Sequence, residues 1–430
     1  MKVAFYTLGC KVNHYETQAM EELFRSAGHE VVPFESDADV YLVNTCTVTQ
    51  ISDKKSRQML SQAHRRNPNA LIVAVGCYSE VAREEVSNLE GVSLVIGTEG
   101  RDRIVEYTQL ALQDRFVPEQ SAPFSRHIFE ELHAQHDSRT RATLKVQDGC
   151  NAFCSYCMIP FARGALRSRT LKSVKDELTV LAENGYREVV ITGIQLSAYG
   201  VDLPDKPDLA DLIEVADDIA GIERIRLGSL EPRVITDRFL QAAKASRTLC
   251  PQFHLSLQSG SDSVLKRMNR RYTTDEYRQA VERIRSAIPD SAITTDIIAG
   301  FVGETEQEHQ ETLQFVRDIG FARIHVFPYS RRKGTKADAM DGHLPRSSKE
   351  ARAHELITLG KEMEAAFIDA QIGKSFDVIM EDDGTGYTRN YIRVRCAGEC
   401  GRTIYVQIIG RDDNIALGKP IGGKNNVFVL

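Results

Sequence analysis

The chain has 430 residues, of which 42% are hydrophobic and 27% are charged, close to the composition of ordinary globular proteins. These fractions exclude a disordered chain, a collagen-like repeat and a small disulfide scaffold. The 54 Lys and Arg residues against 60 Asp and Glu residues give a net charge of −6, which argues against sequence-independent nucleic-acid binding as the main activity. At about 150 residues per domain, the length predicts two to four domains.

Two features of the sequence predict a cytoplasmic protein without a membrane partner. Met1 leads directly into an alternating sequence without a secretory signal, and no apolar run approaches the roughly 20 residues that span a bilayer. Because the cytosol is reducing, the nine cysteines are better explained as metal ligands or redox groups than as a disulfide framework.

The first stretch alternates short apolar runs with helical patterns, which predicts a parallel α/β sheet in residues 1–112. Asn13, followed by Glu16 three residues later, indicates the start of the first helix, and Gly28 fits its end. The predicted strands are residues 3–8, 40–43, 71–75 and 93–96.

The rest of the chain predicts a linker and two further domains. Residues 113–138 lose the periodicity and are interpreted as the linker. Residues 139–370 alternate strands with helices and predict a partial β/α barrel with functional loops after its strands, whereas residues 371–430 contain short strands only and predict a small β-barrel. The predicted strands are ATLKVQ, EVVITG, RIRLGS, FHLSLQ, AITTDIIAG and RIHVFP, then SFDVIM, NYIRVRC, TIYVQIIG and NVFVL after a long helix at 347–370.

The strongest chemical signal is CNAFCSYC, in which Cys150, Cys154 and Cys157 follow directly after a predicted strand. Three thiolates can bind three irons of a 4Fe-4S cube, which normally has four cysteine ligands, so one iron keeps an open coordination position. A structural zinc knuckle is the alternative. Zinc usually needs a fourth Cys or His nearby, and the next eight residues supply neither.

A second group of cysteines lies at predicted strand ends in the first domain. Cys10 follows FYTLG, Cys46 follows YLVNT and Cys77 follows IVAVG. Because parallel strands place their carboxyl ends on one edge of a sheet, these thiols are expected to converge. Gly9 and Gly76 would let the backbone approach a bulky inorganic group. The alternative is three buried core cysteines, a common environment for thiols.

The CxxxCxxC spacing after the first strand of a β/α series resembles the radical S-adenosylmethionine (SAM) superfamily. The two cysteine groups together resemble the methylthiotransferase family, whose N-terminal domain carries an auxiliary 4Fe-4S cluster and whose tail is an RNA-binding TRAM domain. Val302 departs from the proline that is more usual there. The likeness covers essentially the whole chain and includes IPFARGALRSR, ITGIQLSAYG, LGSLEP, LSLQSGSDSVLKRMNRRYT, GFVGETEQEHQETL and VFPYSRRKGTKA.

The resemblance implies two 4Fe-4S clusters and SAM as cofactors, and it makes both cysteine trios catalytic. The CNAFCSYC trio would hold the cluster that cleaves SAM to a 5′-deoxyadenosyl radical, and the strand-end trio would hold the cluster that supplies or carries sulfur. An external electron donor such as a flavodoxin or ferredoxin is expected, and the chain is expected to act as a monomer. Ordinary loop aromatics and strand-end polar groups are the alternative interpretation of the implied SAM contacts, which are Phe153, Tyr156, Gly193, Ser229, Glu231 and Gln258.

The family modifies either an adenosine beside the tRNA anticodon or an aspartate of a ribosomal protein. Residues 139–173 contain seven Lys and Arg against one Asp, which predicts a basic surface for RNA phosphates; a solvated face is the alternative. In the tail, YTRNYIRVR alternates tyrosines with arginines, which suits base stacking and phosphate contact, although its aromatics could be barrel core. The predicted RNA contacts are Arg163, Arg167, Arg169, Tyr387, Arg389, Tyr391 and Arg393.

Within the family, YTLGCKVNHYET and NTCTVT resemble the branch that acts on N6-threonylcarbamoyladenosine in the anticodon stem-loop of tRNA. Methylthiolation of isopentenyladenosine or of a ribosomal-protein aspartate remains an alternative. A non-enzymatic iron-sulfur electron carrier or an RNA-binding scaffold is a more remote one, because electron carriers normally saturate their irons with four cysteines. Cys396 and Cys400 fall outside the family pattern and are interpreted as incidental thiols, with half of a metal site as the alternative.

Overall fold

The computed structural model describes residues 1–114, 126–134, 140–381 and 383–421. It contains a parallel α/β sheet, a partial β/α barrel and a closed β-barrel in chain order, which confirms the predicted fold class. Most of the predicted linker, residues 115–125 and 135–138, lies outside the described residues, as does the predicted strand NVFVL. None of the helices in the described ranges combines the length and apolar character needed to cross a membrane.

The N-terminal unit is a five-stranded parallel sheet with helices on both faces. Its elements are β1 (Lys2–Thr7), α1 (Lys11–Ser26), β2 (Glu30–Val32), β3 (Val40–Thr45), α2 (Gln50–Arg66), β4 (Leu71–Gly76), α3 (Cys77–Val81), α4 (Arg83–Ser87), β5 (Val92–Val95) and α5 (Ile104–Leu112). The strand order is β2-β1-β3-β4-β5. Every residue of β3 and β4 is buried, as expected for central strands covered on both sides. The edge strand β2 was not predicted because three residues are too few to show a period.

Helix α1 begins before Asn13, the predicted N-cap. Cys10 occupies the N-cap position and makes no capping bond with its side chain. The Asn13 amide instead turns inward and donates to the carbonyls of Leu8 and Thr45, at 2.8 and 3.1 Å. Glu16 is fully buried. The Asn and Glu that resembled a helix start are therefore interior residues.

The central unit is a partial barrel. Its elements are β6 (Arg141–Asp148), α6 (Ile159–Arg163), β7 (Arg167–Ser168), α7 (Leu171–Glu183), β8 (Glu188–Gly193), α8 (Leu209–Asp217), β9 (Arg224–Leu227), α9 (Asp237–Ala245), β10 (Gln252–His254), α10 (Asp262–Arg267), α11 (Thr274–Ala287), β11 (Ala292–Ala299), α12 (Glu306–Ile319) and β12 (Arg323–Pro328). The strands β6, β8, β9, β10, β11 and β12 follow one another in chain order, with a parallel bridge from Leu230 to Leu255 joining the two sheets. All six predicted strands are present. The short strand β7 pairs antiparallel with β6.

Alternate residues of these strands face the covering helices or the inside of the barrel. Ile293 of β11 packs into the core that faces the helices. Thr294 and Asp296 lie one and three residues later, so their side chains point to the opposite face of the strand, toward the inside of the barrel. The strand registers place Thr294 beside His254 and Asp296 beside His325. This wall of the barrel interior is therefore polar.

The C-terminal unit follows the long helix α13 (Arg346–Asp369) and is a closed five-stranded barrel. Its strands are β13 (Ser375–Met380), β14 (Thr385–Thr388), β15 (Arg393–Arg395), β16 (Thr403–Asp412) and β17 (Ile415–Pro420), paired in the order β13-β14-β15-β17-β16. Val378, Val394 and Val406 belong to its core. The strand β17 was not predicted because its IALGKP sequence contains Gly and Pro, which are depleted in strands.

Candidate active site

The cysteines of the N-terminal unit lie at the carboxyl ends of three adjacent strands. Cys10 follows β1, Cys46 follows β3 and Cys77 begins α3 directly after β4. Cys46 and Cys77 are buried, whereas Cys10 is exposed. The strand order therefore brings the three positions to one edge of the sheet, and the group opens to the surface at Cys10.

Two glycines let the backbone pack closely at this edge of the sheet. A Cβ atom added to Gly9 would lie 3.0 Å from the Cys46 Sγ, and one added to Gly76 would lie 2.4 Å from the Asn44 Oδ1. Both glycines have positive φ angles, 106° and 93°, which L side chains rarely adopt. A side chain at Gly9 would therefore clash with Cys46, and one at Gly76 would clash with Asn44 and Thr45, next to the cysteine edge.

The second cysteine group, residues 150–157, lies on the loop after β6. The Cys150 N–H donates to the Gly164 carbonyl, and the Ser155 N–H donates to the Met268 carbonyl, both at 3.0 Å. The loop is thus held between the segment after α6 and the segment after α10.

Each thiol of this loop accepts a hydrogen bond. The backbone N–H two residues later donates to the Sγ of Cys150 and of Cys157, both at 3.4 Å. The Arg270 Nη1 donates to the Cys154 Sγ at 3.2 Å. Donors of this kind stabilise thiolate ligands and tune iron-sulfur clusters.

Burial keeps thiols of both groups in the protonated form while no metal is bound. Burial raises the pKa of Cys150 to about 11 and the pKa of Cys157 and Cys77 to about 12. At neutral pH such thiols stay protonated until a metal displaces the proton. Among the described residues, no three Cys, His, Asp or Glu side chains meet around a single ion. In a 4Fe-4S cube each thiolate binds its own iron, so the donor sets fit a cluster better than a mononuclear zinc.

Arg270 links the cysteine loop to a predicted SAM contact. Its Nη2 lies 3.2 Å from the Glu231 carboxylate, while its Nη1 donates to Cys154. Its Nε donates to the Tyr272 hydroxyl at 2.9 Å, so the guanidinium is held in place. Sequence reasoning did not single out Arg270, although it lies in the KRMNRR segment that resembled the family.

The other predicted SAM contacts lie at the same end of the barrel as the cysteine loop. Gly193 ends β8, Ser229 is exposed after β9, and Gln258, with a φ of 71°, follows β10. These positions are the carboxyl ends of three successive barrel strands. Phe153 is exposed on the cysteine loop, whereas Tyr156 packs against a buried aromatic cluster. Contact of these residues with SAM stays a prediction.

Comparison with known proteins identifies the family. The model of the radical SAM superfamily matches residues 144–316, and that of the Uncharacterized protein family UPF0004 matches residues 2–97. The chain is 39% identical to the threonylcarbamoyladenosine tRNA methylthiotransferase MtaB of Bacillus subtilis (strain 168), over 95% of this chain and 93% of that protein. The chain belongs to the radical SAM tRNA methylthiotransferase family.

Other relatives agree with this assignment. The enzyme is 33% identical to a tRNA-2-methylthio-N(6)-dimethylallyladenosine synthase of Pelotomaculum thermopropionicum, over 90% of this chain and 88% of that protein. The solved structure of TsrM from Kitasatospora setae, with cobalamin and a [4Fe-4S] cluster bound, has a TM-score of 0.57 at 16% identity and covers 76% of this chain and 74% of that chain. That likeness shows a shared fold alone. The methylthiotransferase family uses SAM and 4Fe-4S clusters, as the resemblance implied.

Three arginines that were predicted to contact RNA do not lie at the surface of this methylthiotransferase. Arg163, Arg167 and Arg169 are buried, with exposed fractions of 0, 3 and 0%. Arg169 pairs with Glu177, and Arg167 lies 3.6 Å from Asp148. The expectation of exposed RNA contacts at these arginines was wrong, because a count of charges along one segment does not show which acidic side chains pair with them in the fold, such as Glu16 with Arg163.

The tyrosines and Arg389 of the tail face the partial barrel. Tyr387 and Tyr391 stack with their ring centroids 4.8 Å apart. The Arg141 guanidinium lies 4.7 Å from the Tyr387 ring centroid, and the Arg226 guanidinium lies 4.7 Å from that of Tyr391. Arg389 donates to backbone carbonyls of residues 223 and 247–249. These residues dock the tail, so the prediction that Tyr387, Arg389 and Tyr391 offer an open RNA surface is corrected. Arg393 is half-buried, and its RNA contact stays a prediction.

Removing Arg389 is expected to loosen the tail from the partial barrel. Arg389→Ala removes a donor to four backbone carbonyls and should cost about 1–3 kcal/mol of docking free energy. Limited proteolysis and thermal unfolding would measure the loss. Arg395→Ala is the control, because its partner Asp412 and its own side chain are exposed, and surface changes usually stay within about 0.5 kcal/mol. Equal effects of the two variants would contradict the docking role.

Proposed function

We propose that the enzyme inserts a methylthio group at C2 of N6-threonylcarbamoyladenosine next to the tRNA anticodon. The observation that carries this proposal is the difference in sequence identity to relatives that are named for different substrates. The Bacillus protein named for threonylcarbamoyladenosine is 39% identical, and the Pelotomaculum protein named for dimethylallyladenosine is 33% identical. The full-length match makes this difference a whole-chain property rather than one of a single motif.

The polar wall of the partial barrel supports the same substrate. The His254 Nδ1 lies 3.1 Å from the Thr294 Oγ1, and its Nε2 lies 3.3 Å from the Asp296 Oδ2. His325 on the neighbouring strand is exposed. A threonylcarbamoyl group carries a carboxylate, a hydroxyl and N–H donors that can pair with such side chains. An isopentenyl group carries no polar atom that could contact this wall, and sites built to hydrogen-bond a substrate discriminate against analogues that lack the polar group.

The proposal assigns the cofactors to the two cysteine groups. The thiolates of residues 150–157 would bind a 4Fe-4S cluster with an open iron, and Cys10, Cys46 and Cys77 would bind the auxiliary cluster. When bound, SAM and the clusters supply the methyl group, the 5′-deoxyadenosyl radical and the sulfur. The chain itself orients these groups, because Arg270 holds the cysteine loop in place.

The remaining parts of the proposal concern organisation and partners. The domains are residues 1–112, 139–370 and 371–430, with the linker at 113–138. The tail and Arg393 contact the anticodon stem-loop, an electron donor of the flavodoxin or ferredoxin type supplies electrons, and the enzyme acts as a monomer in the cytoplasm.

Matched anticodon stem-loops test the substrate. The reconstituted enzyme would be assayed on stem-loops that differ only in bearing adenosine, isopentenyladenosine or threonylcarbamoyladenosine, with mass spectrometry of the nucleosides. We expect preferred turnover of the threonylcarbamoyl substrate. Preferred turnover of either other stem-loop would overturn the substrate assignment, and turnover of a ribosomal protein alone would overturn the RNA substrate.

A further inference from the structure

A buried network of charges lies between the two cysteine groups. Its central members are nearly or fully inaccessible to solvent: Glu16, Arg101, Lys145, Asp148 and Arg163. The Lys145 Nζ lies 2.8 Å from the Glu16 Oε1 and 2.6 Å from the Asp148 Oδ2. Buried ion pairs are often no more stabilising than apolar packing of the same volume. A contribution to the stability of the fold therefore does not by itself explain the network.

Arg163 is the member of this network that reaches a cysteine. Its Nε donates to the Cys77 Sγ at 3.3 Å. Its Nη1 donates to Glu16 at 2.8 Å and to Asp148 at 3.0 Å, and its Nη2 donates to the Asn13 Oδ1 at 2.8 Å. A guanidinium whose donors are engaged on every side has one orientation. The positive charge beside Cys77 is thus fixed in place.

The chain around Arg163 also holds the second cysteine group. The carbonyl of Gly164, the next residue, accepts the N–H of Cys150 at 3.0 Å. The Asp148 Oδ1 accepts from Arg163 and also from the N–H of Gly149 at 2.8 Å. Arg163 and its neighbours therefore join the Cys77 sulfur to the start of the CxxxCxxC loop.

We propose that Arg163 is a positioning residue that raises the reduction potential of the cluster at Cys10, Cys46 and Cys77, and that Glu16 acts in the opposite direction. The inference rests on the proposed auxiliary cluster. Hydrogen bonds to ligand sulfurs and nearby net charge set the potential of iron-sulfur clusters. A fixed positive charge favours the reduced form, which carries one more negative charge, and the carboxylate of Glu16 partly cancels that charge.

Redox titration of the reconstituted full chain, followed by electron paramagnetic resonance, tests the proposal. Added SAM identifies the cluster with an open iron, so the potential of the other cluster can be followed. Arg163→Gln should shift the reduction equilibrium of that other cluster at least about tenfold toward the oxidised form, which is about 59 mV for one electron. Glu16→Gln should shift it toward the reduced form. Arg169→Gln is the matched control, because Arg169 is equally buried but pairs with Glu131 and Glu177.

Opposite shifts from Arg163→Gln and Glu16→Gln, with the control unchanged, would support the proposal. An unchanged potential in Arg163→Gln with full iron content would overturn it. If either Gln variant does not fold, Arg163→Lys is measured instead, because lysine keeps the positive charge but lacks the several N–H donors of the guanidinium. A smaller shift toward the oxidised form would then support the proposal, and an unchanged potential would overturn it. A wild-type chain with only one cluster would instead overturn the proposed function.

Discussion

Replacing Cys150, Cys154 and Cys157 together by alanine is expected to abolish SAM cleavage and to leave about four of roughly eight irons per chain. The three thiols lie on one loop after β6, whereas the strand-end trio lies on a separate sheet. One group can therefore be removed without removing the ligands of the other. Iron and sulfide analysis and mass spectrometry of 5′-deoxyadenosine measure the two effects.

The control for this variant is Cys400→Ala, because Cys400 is an exposed thiol of the tail. It should keep both the iron and SAM cleavage. Retention of all the iron in the triple variant would contradict the assignment of the loop as a cluster site.

Replacing Cys10, Cys46 and Cys77 together by alanine is expected to leave 5′-deoxyadenosine formation intact and to abolish the methylthio product. In this variant the thiols of the CxxxCxxC loop keep the groups that donate hydrogen bonds to them, including Arg270, which contacts Cys154. The assay compares both products, by mass spectrometry, from the same reaction with the modified stem-loop.

The matched control is Cys250→Ala, which removes a fully buried thiol just before β10 of the partial barrel. It should retain both products. Loss of 5′-deoxyadenosine in a folded strand-end variant that still contains about four irons would show that the two cysteine groups do not have separable roles.

The sequence allowed both cysteine groups to be predicted, for two different reasons. Cys150, Cys154 and Cys157 lie within eight residues, so their proximity is local. Cys10, Cys46 and Cys77 are distant in sequence, but parallel strands place their carboxyl ends on one edge, and the order β1-β3-β4 brings them together.

The arginines around the site could not be placed in the same way. The contact of Arg270 with Cys154 spans 116 residues, and that of Arg163 with Cys77 spans 86. Neither the hydrophobic periodicity nor a short motif indicates which side chains pair when they lie so far apart in the sequence. For the same reason the basic segment was expected at the surface: the Glu16 that neutralises part of its charge comes from 147 residues away.

The docked tail fixes how far a bound molecule must extend along the enzyme. Arg141 and Arg224 begin strands β6 and β9, and both reach the tail, so the tail covers the amino ends of the barrel strands. The cysteine loop lies at the opposite, carboxyl end. A six-residue strand such as β8 is about 20 Å long. An RNA that touched the outer surface of the tail and also delivered a base to the cysteines would therefore have to extend along the whole height of the barrel.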